Sequence, residues 1–135
     1  MRIRASWFFS TLLVVVLLSA CGGPVVIPGY AEVIGVYSMS IMTNNSPAFE
    51  MILYLHDDYS AELSYDYLAG EPPIIETGTW IINSDGTITV RLTKANGVAM
   101  YPVVSINFAL ENGGLTAVSG DDLILGIDEL RMQRI

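Results

Sequence analysis

Soft and imidazole ligands are scarce in this chain: its 135 residues hold one cysteine, Cys21, and one histidine, His56. A lone cysteine excludes an internal disulfide. There is no nucleophile elbow, His-Cys pair, phosphate loop or metalloprotease helix, and the plentiful Ser and Asp have no base to work with. The chain is therefore expected not to be an enzyme and to need no cofactor. Positive charge is equally sparse, with 6 Lys+Arg against 14 Asp+Glu. That balance leaves no basic patch for a phosphate backbone, which excludes nucleic acid as a partner. Apart from the first twenty residues, no segment carries a helical period.

What is present begins with an export pattern. Met1-Arg2-Ile3-Arg4 is a short basic region, and Trp7 to Leu18 is nearly all apolar. The run suits a signal peptide and is too short for the ~18–20 residues that span a bilayer. Leu18-Ser19-Ala20-Cys21 follows and resembles the lipobox of bacterial lipoproteins. The resemblance implies cleavage between Ala20 and Cys21 and a diacylglycerol on the Cys21 sulfur. Two acyl chains suffice for stable anchoring. Gly22, rather than Asp, follows the cysteine, which is compatible with outer-membrane sorting in a diderm bacterium. Without residues 1–20, Lys+Arg falls from 6 to 4 while Asp+Glu stays at 14, a net charge of −10. Such a surface favours solubility and keeps the domain off anionic lipid.

Gly22 to Ala31 holds three glycines and two prolines and reads as part of a tether over 21–32. From Val33 to the end, alternation of period two predicts strands. Phe49, Met51, Leu53 and Leu55 form one apolar row; Ala61, Leu63, Tyr65 and Tyr67 form the next; Ile88, Val90 and Leu92 a third. Turns are predicted at His56–Tyr59, Ala69–Pro73, Ser84-Asp85-Gly86, Lys94–Gly97 and Glu111–Gly114. Val98 to Leu110 reads as one strand, with Pro102 the place where it could be interrupted, Leu115–Val118 is short, Ser119–Asp128 is loop-like, and Glu129–Ile135 closes the chain. About seven or eight strands with one apolar face predict an all-β, small antiparallel meander barrel, with a β-sandwich as the competitor.

Gly35-Val36-Tyr37, Leu53-Tyr54-Leu55 with Asp57-Asp58, Glu76-Thr77-Gly78-Thr79-Trp80, and Asp85-Gly86-Thr87-Ile88-Thr89-Val90 occur in that order. Their order and spacing resemble the N-terminal domain of the NlpE family of bacterial lipoproteins. The resemblance runs from about Gly35 to the C-terminus. It implies a lipocalin-like barrel on a lipid tether and roles in envelope stress, adhesion sensing and copper tolerance. The family's two-cysteine segment falls on Met42 to Ala48, where Thr43 and Ser46 replace both cysteines. Thiolate chemistry therefore does not carry over. Well-studied members also have a second domain, and roles that depend on it are not implied here.

Candidate sites follow from residue chemistry. Met39, Met42 and His56 are the candidate metal ligands, with Met51 close in sequence, because thioethers suit Cu(I). Their alternative role is core filling for the methionines and a solvated turn for His56-Asp57-Asp58. Tyr65, Tyr67 and Trp80 are the candidate ligand-pocket residues, at the mouth of a barrel. Asp121-Asp122 with Asp128-Glu129 is the densest acidic cluster, without Ca²⁺-loop spacing. The expectation is a membrane-anchored envelope lipoprotein with a non-enzymatic binding or sensing barrel. The alternatives are a carrier of a small apolar ligand and a weak copper-handling protein. A filled barrel with an exposed apolar rim would favour a protein partner.

Overall fold

The computed structural model describes residues 23–43, 46–121 and 130–135. A short helix, α1 (Tyr30–Val33), precedes eight strands: β1 (Gly35–Thr43), β2 (Ser46–Leu55), β3 (Ser60–Asp66), β4 (Ile74–Ile82), β5 (Ile88–Ala95), β6 (Val98–Glu111), β7 (Gly114–Gly120) and β8 (Arg131–Arg134). Each strand pairs antiparallel with the next, and β8 pairs with β1 at Tyr37–Arg134 and Ser38–Gln133. The sheet is thus a closed up-and-down barrel, not a sandwich. Closure satisfies the edges that an open sheet would expose.

Alternation fixes which side chains face inward. Phe49, Met51, Leu53 and Leu55 of β2 are buried, as are Ala61, Leu63 and Tyr65 of β3 and Ile88, Val90 and Leu92 of β5. Tyr37, Trp80 and Phe108 are the bulkiest of the fully buried side chains. Registered pairs carry the core around the wall, as in Trp80–Val90–Ile106 and Ile82–Ile88–Phe108. On the outer wall a polar ladder crosses four strands' worth of chain. Asn83 Nδ2 donates to Thr89 Oγ1, Thr89 Oγ1 to Asn107 Oδ1, and Asn107 Nδ2 to Ser119 Oγ. Cross-strand pairs of this kind pin register.

The turns carry the chemistry that tight hairpins require. Asn96-Gly97 and Asn112-Gly113 both adopt positive φ at their two residues, the geometry of a twisted two-residue loop. At the β4–β5 turn only Gly86 has positive φ, and its N–H donates to Asn83 O, so Asp85 serves instead as acceptor for Thr87 N.

Two segments differ from the alternation reading, and Pro102 does not interrupt the strand that holds it. The packed body starts before Val33, because α1 sits on one end of the barrel rather than continuing a free tether through residue 32. Four residues are too few to display a helical period, so nothing in the pattern marks α1. The strand Val98–Glu111 runs through Pro102, but its pairing with β5 skips between Leu92–Val104 and Lys94–Ala99. Pro102 has no N–H to donate, and the irregularity accommodates it. Finally, β7 continues to Gly120, where a loop was expected from Ser119, held by pairs at Asn107–Ser119 and Ile106–Gly120.

Candidate functional site

The two ends of the barrel differ in chemistry. One end gathers α1, the β2–β3 turn, the β4–β5 turn and the β6–β7 turn. Tyr30 stacks on Trp80 with ring centroids 5.5 Å apart, and Tyr59 packs against both. Val33 is fully buried, and its carbonyl accepts the Tyr37 hydroxyl at 2.7 Å. The Arg134 guanidinium donates to Glu32 O and Ile34 O and lies 5.9 Å from the Tyr37 ring centroid. A cation at the carbonyl end of a helical turn satisfies groups that would otherwise lack partners. This end is plugged.

The opposite end gathers the β3–β4 connection and the β5–β6 hairpin. The inward row of β4 reads Ile74, Glu76, Gly78, Trp80, Ile82, because Glu76 registers with buried Leu63 and Ile74 with buried Tyr65. A carboxylate therefore faces into the barrel near its mouth. It is partnered: Tyr65 donates its hydroxyl to Glu76 Oε2 at 2.5 Å. Burial, and then the Glu76 carboxylate beside it, push the Tyr65 phenol well above its ordinary range. Phe49 packs between Tyr65 and Tyr67, with centroids 6.4 and 5.2 Å away. Met39 registers directly with Met51, and Met51 with Tyr65, so thioethers and aromatic rings share this layer. Around the rim of the mouth, Tyr67, Leu68, Ile74, Ile75, Val98 and Tyr101 are exposed.

The candidate pocket residues are only partly brought together. Tyr65 and Tyr67 meet across Phe49, but Tyr67 is half-exposed and lies one residue past the end of β3. Trp80 lies at the plugged end, six residues along β4 from Ile74, a separation of roughly 20 Å. Its indole N–H donates to His56 O at 2.9 Å, which is a structural tie. The three residues do not line one cavity. Glu76 is the inward polar residue that residue-type reasoning overlooked. Counting back from Trp80 in steps of two would have found it.

Of the candidate metal ligands, the two whose side chains are described, Met39 and His56, are not brought together. Met51 is fully buried and Met39 packs against the core, whereas His56 is exposed at the β2–β3 turn and stacks on Tyr54 on the outer wall. The side chain of Met42 lies outside the described residues, as do those of Thr43 and Ser46, although Thr43 and Ser46 register as a pair at the head of the β1–β2 hairpin. Among the described residues no three His, Cys, Asp or Glu are placed to hold a metal ion. Ala20 and Cys21 lie outside the described residues, and so do Asp122, Asp128 and Glu129; Asp121 accepts a hydrogen bond from Ser105 N. No helix among the described residues is long and apolar enough to cross a membrane.

Comparison with family models, with curated proteins and with solved structures finds no match for this chain.

Proposed function

We propose that this chain is an NlpE-like bacterial envelope lipoprotein, held to a membrane by a lipid on Cys21, whose barrel is a non-enzymatic module that binds a protein partner. The observation that carries the binding role is the exposed apolar rim at the open end of the barrel. Its interior positions are taken by large apolar side chains, and one end is closed by α1. The open end carries its own set of exposed apolar residues, Tyr67, Leu68, Ile74, Ile75, Val98 and Tyr101, separate from those at the plugged end. Clustered exposed apolar residues with polar surroundings mark interaction surfaces. Anchoring is supported by Leu18-Ser19-Ala20-Cys21 behind an apolar run that is too short to span.

A second reading, the carrier of a small amphiphile, is favoured by one feature: the Tyr65–Glu76 pair, a hydrogen-bonding group set in an apolar mouth. The two readings separate experimentally. A photo-activatable residue at Leu68 or Val98 should form a discrete protein adduct in living cells, while the same residue at Thr79 on the outer wall should not. Equal adducts at all three positions would overturn the protein-binding reading. A stoichiometric small molecule seen by native mass spectrometry, and lost on Glu76→Gln, would put the carrier in its place. For the anchor, a fatty-acid analogue should label the wild type but not Cys21→Ala.

A further inference from the structure

At the plugged end, three consecutive apolar side chains face solvent. Val25 is 63%, Val26 80% and Ile27 56% exposed. They are not loosely held. A Cβ built on Gly86, at the tip of the β4–β5 turn, would lie 2.5 Å from Val26 O and 3.6 Å from Ile27 Cα. The main chain of residues 26 and 27 therefore rests on that turn and presents its side chains outward. Tyr59, half-exposed, packs on Tyr30 and Trp80 at the same end of the barrel. Three successive exposed apolar residues on a fixed backbone are unfavourable in water unless something covers them.

We infer that this face docks on the bilayer surface, with Val25, Val26 and Ile27 entering the interfacial region and Tyr59 at headgroup level. The inference rests on the anchoring of Cys21. Val25 is four residues beyond Cys21, so an extended chain holds it within about 14 Å of the lipidated residue. The leash is short because α1 and residues 26–27 are already bound to the barrel. Tyrosines are favoured at the headgroup level for their apolar ring and polar tip. The partner lipid is electrically neutral in its headgroup. Glu32, Asp57, Asp58 and Asp85 lie around this end, and hydrogen bonds from Ser60 to Asp58 and from Thr87 to Asp85 favour the ionised carboxylates. Those charges repel an anionic surface. Docking in this sense turns the mouth, with Glu76 and the exposed apolar rim, away from the membrane.

The test uses the lipidated full-length protein in phosphatidylcholine vesicles. Ile27→Cys and Tyr101→Cys each supply one reactive thiol, since the Cys21 sulfur is taken by lipid; an environment-sensitive fluorophore is attached at each. The Ile27 label is expected to shift to the blue and to lose most of its quenching by aqueous iodide. The Tyr101 label, on a side chain 90% exposed at the far end, should keep its quenching. Val25→Asp with Val26→Asp should restore iodide access at position 27 while the protein still floats with the vesicles. Replacing the lipid with phosphatidylglycerol should reduce the shielding. A protein that floats yet leaves positions 27 and 101 equally quenched overturns the docking inference and leaves the anchor standing. A protein that does not float at all overturns the anchor and the docking together.

Discussion

Gly78 offers the sharpest test of the barrel's construction. It lies on the inward row of β4, opposite an irregularity in β5, where the pairing steps from Thr77–Lys94 to Gly78–Leu92 and Thr93 is the extra residue. The two backbones approach so closely that a Cβ at position 78 would lie 1.8 Å from Arg91 O, 2.7 Å from Arg91 C and 2.8 Å from Leu92 Cα. At least 1.2 Å must open before the nearest of these reaches 3.0 Å. The obstacle is main chain, so no rotamer change relieves it. Overpacking that side chains can absorb costs ~1–3 kcal/mol. Here the β4–β5 ladder must also lengthen, at about 1 kcal/mol for each hydrogen bond lost. Gly78→Ala should therefore cost about 3–4 kcal/mol by these two principles. At roughly 4 °C per kcal/mol for a domain of this size, the melting temperature falls by about 12–16 °C. Gly113→Ala is the control. Its φ is +76° and nothing lies within 4 Å, so it meets only left-handed strain of about 1–2 kcal/mol. Thermal and urea unfolding followed by circular dichroism, on the chain without its first 21 residues, measures both. A Gly78→Ala protein as stable as Gly113→Ala would refute the close approach and with it the β4–β5 register.

Arg134→Ala should release α1 from the barrel, because the carbonyls of Glu32 and Ile34 lose their donor. Trp80, the one tryptophan after Trp7, reports this: its emission should shift to the red and acrylamide should gain access, with a stability loss of about 1 kcal/mol. For Tyr65 the folded pKa is raised above its ordinary 10.0, so its contribution to stability is intact below that pH and is lost as pH rises above it. Tyr65→Phe should flatten the alkaline decline in melting temperature; an unchanged decline would count against the Tyr65–Glu76 pair. Asp58 and Asp85 have folded pKa values below 3.8, so their contribution is present above that value and fades as pH falls beneath it. Asp58→Asn with Asp85→Asn should make the acid limb shallower. Cu(I) binding under reducing conditions should be weak, since Met39 and Met51 face the core and His56 the solvent; tight one-to-one binding by calorimetry, lost on Met39→Leu with Met42→Leu, would overturn that expectation.

Local chemistry was enough to read the strands and most turns. In β2, β3 and β5 each apolar residue at a spacing of two is buried, because a pleated strand puts successive side chains on opposite faces. Asn96-Gly97 and Asn112-Gly113 mark their hairpins because those residues tolerate positive φ. What tertiary structure alone decided is anything that depends on which strand lies opposite which. Glu76 becomes an interior carboxylate only because β3 registers Leu63 against it and brings Tyr65 within bonding reach. Trp80 and Tyr65, similar as pocket candidates in a list of aromatic residues, part to opposite ends because β4 carries one far past the other. Residues 26–32 read as tether, since Gly, Pro and one short helical turn have no period. Their docking comes from contacts fifty or more residues away in the chain: Gly86 beneath Val26, Trp80 beneath Tyr30, and Arg134, a hundred residues on, closing the carbonyl end of α1.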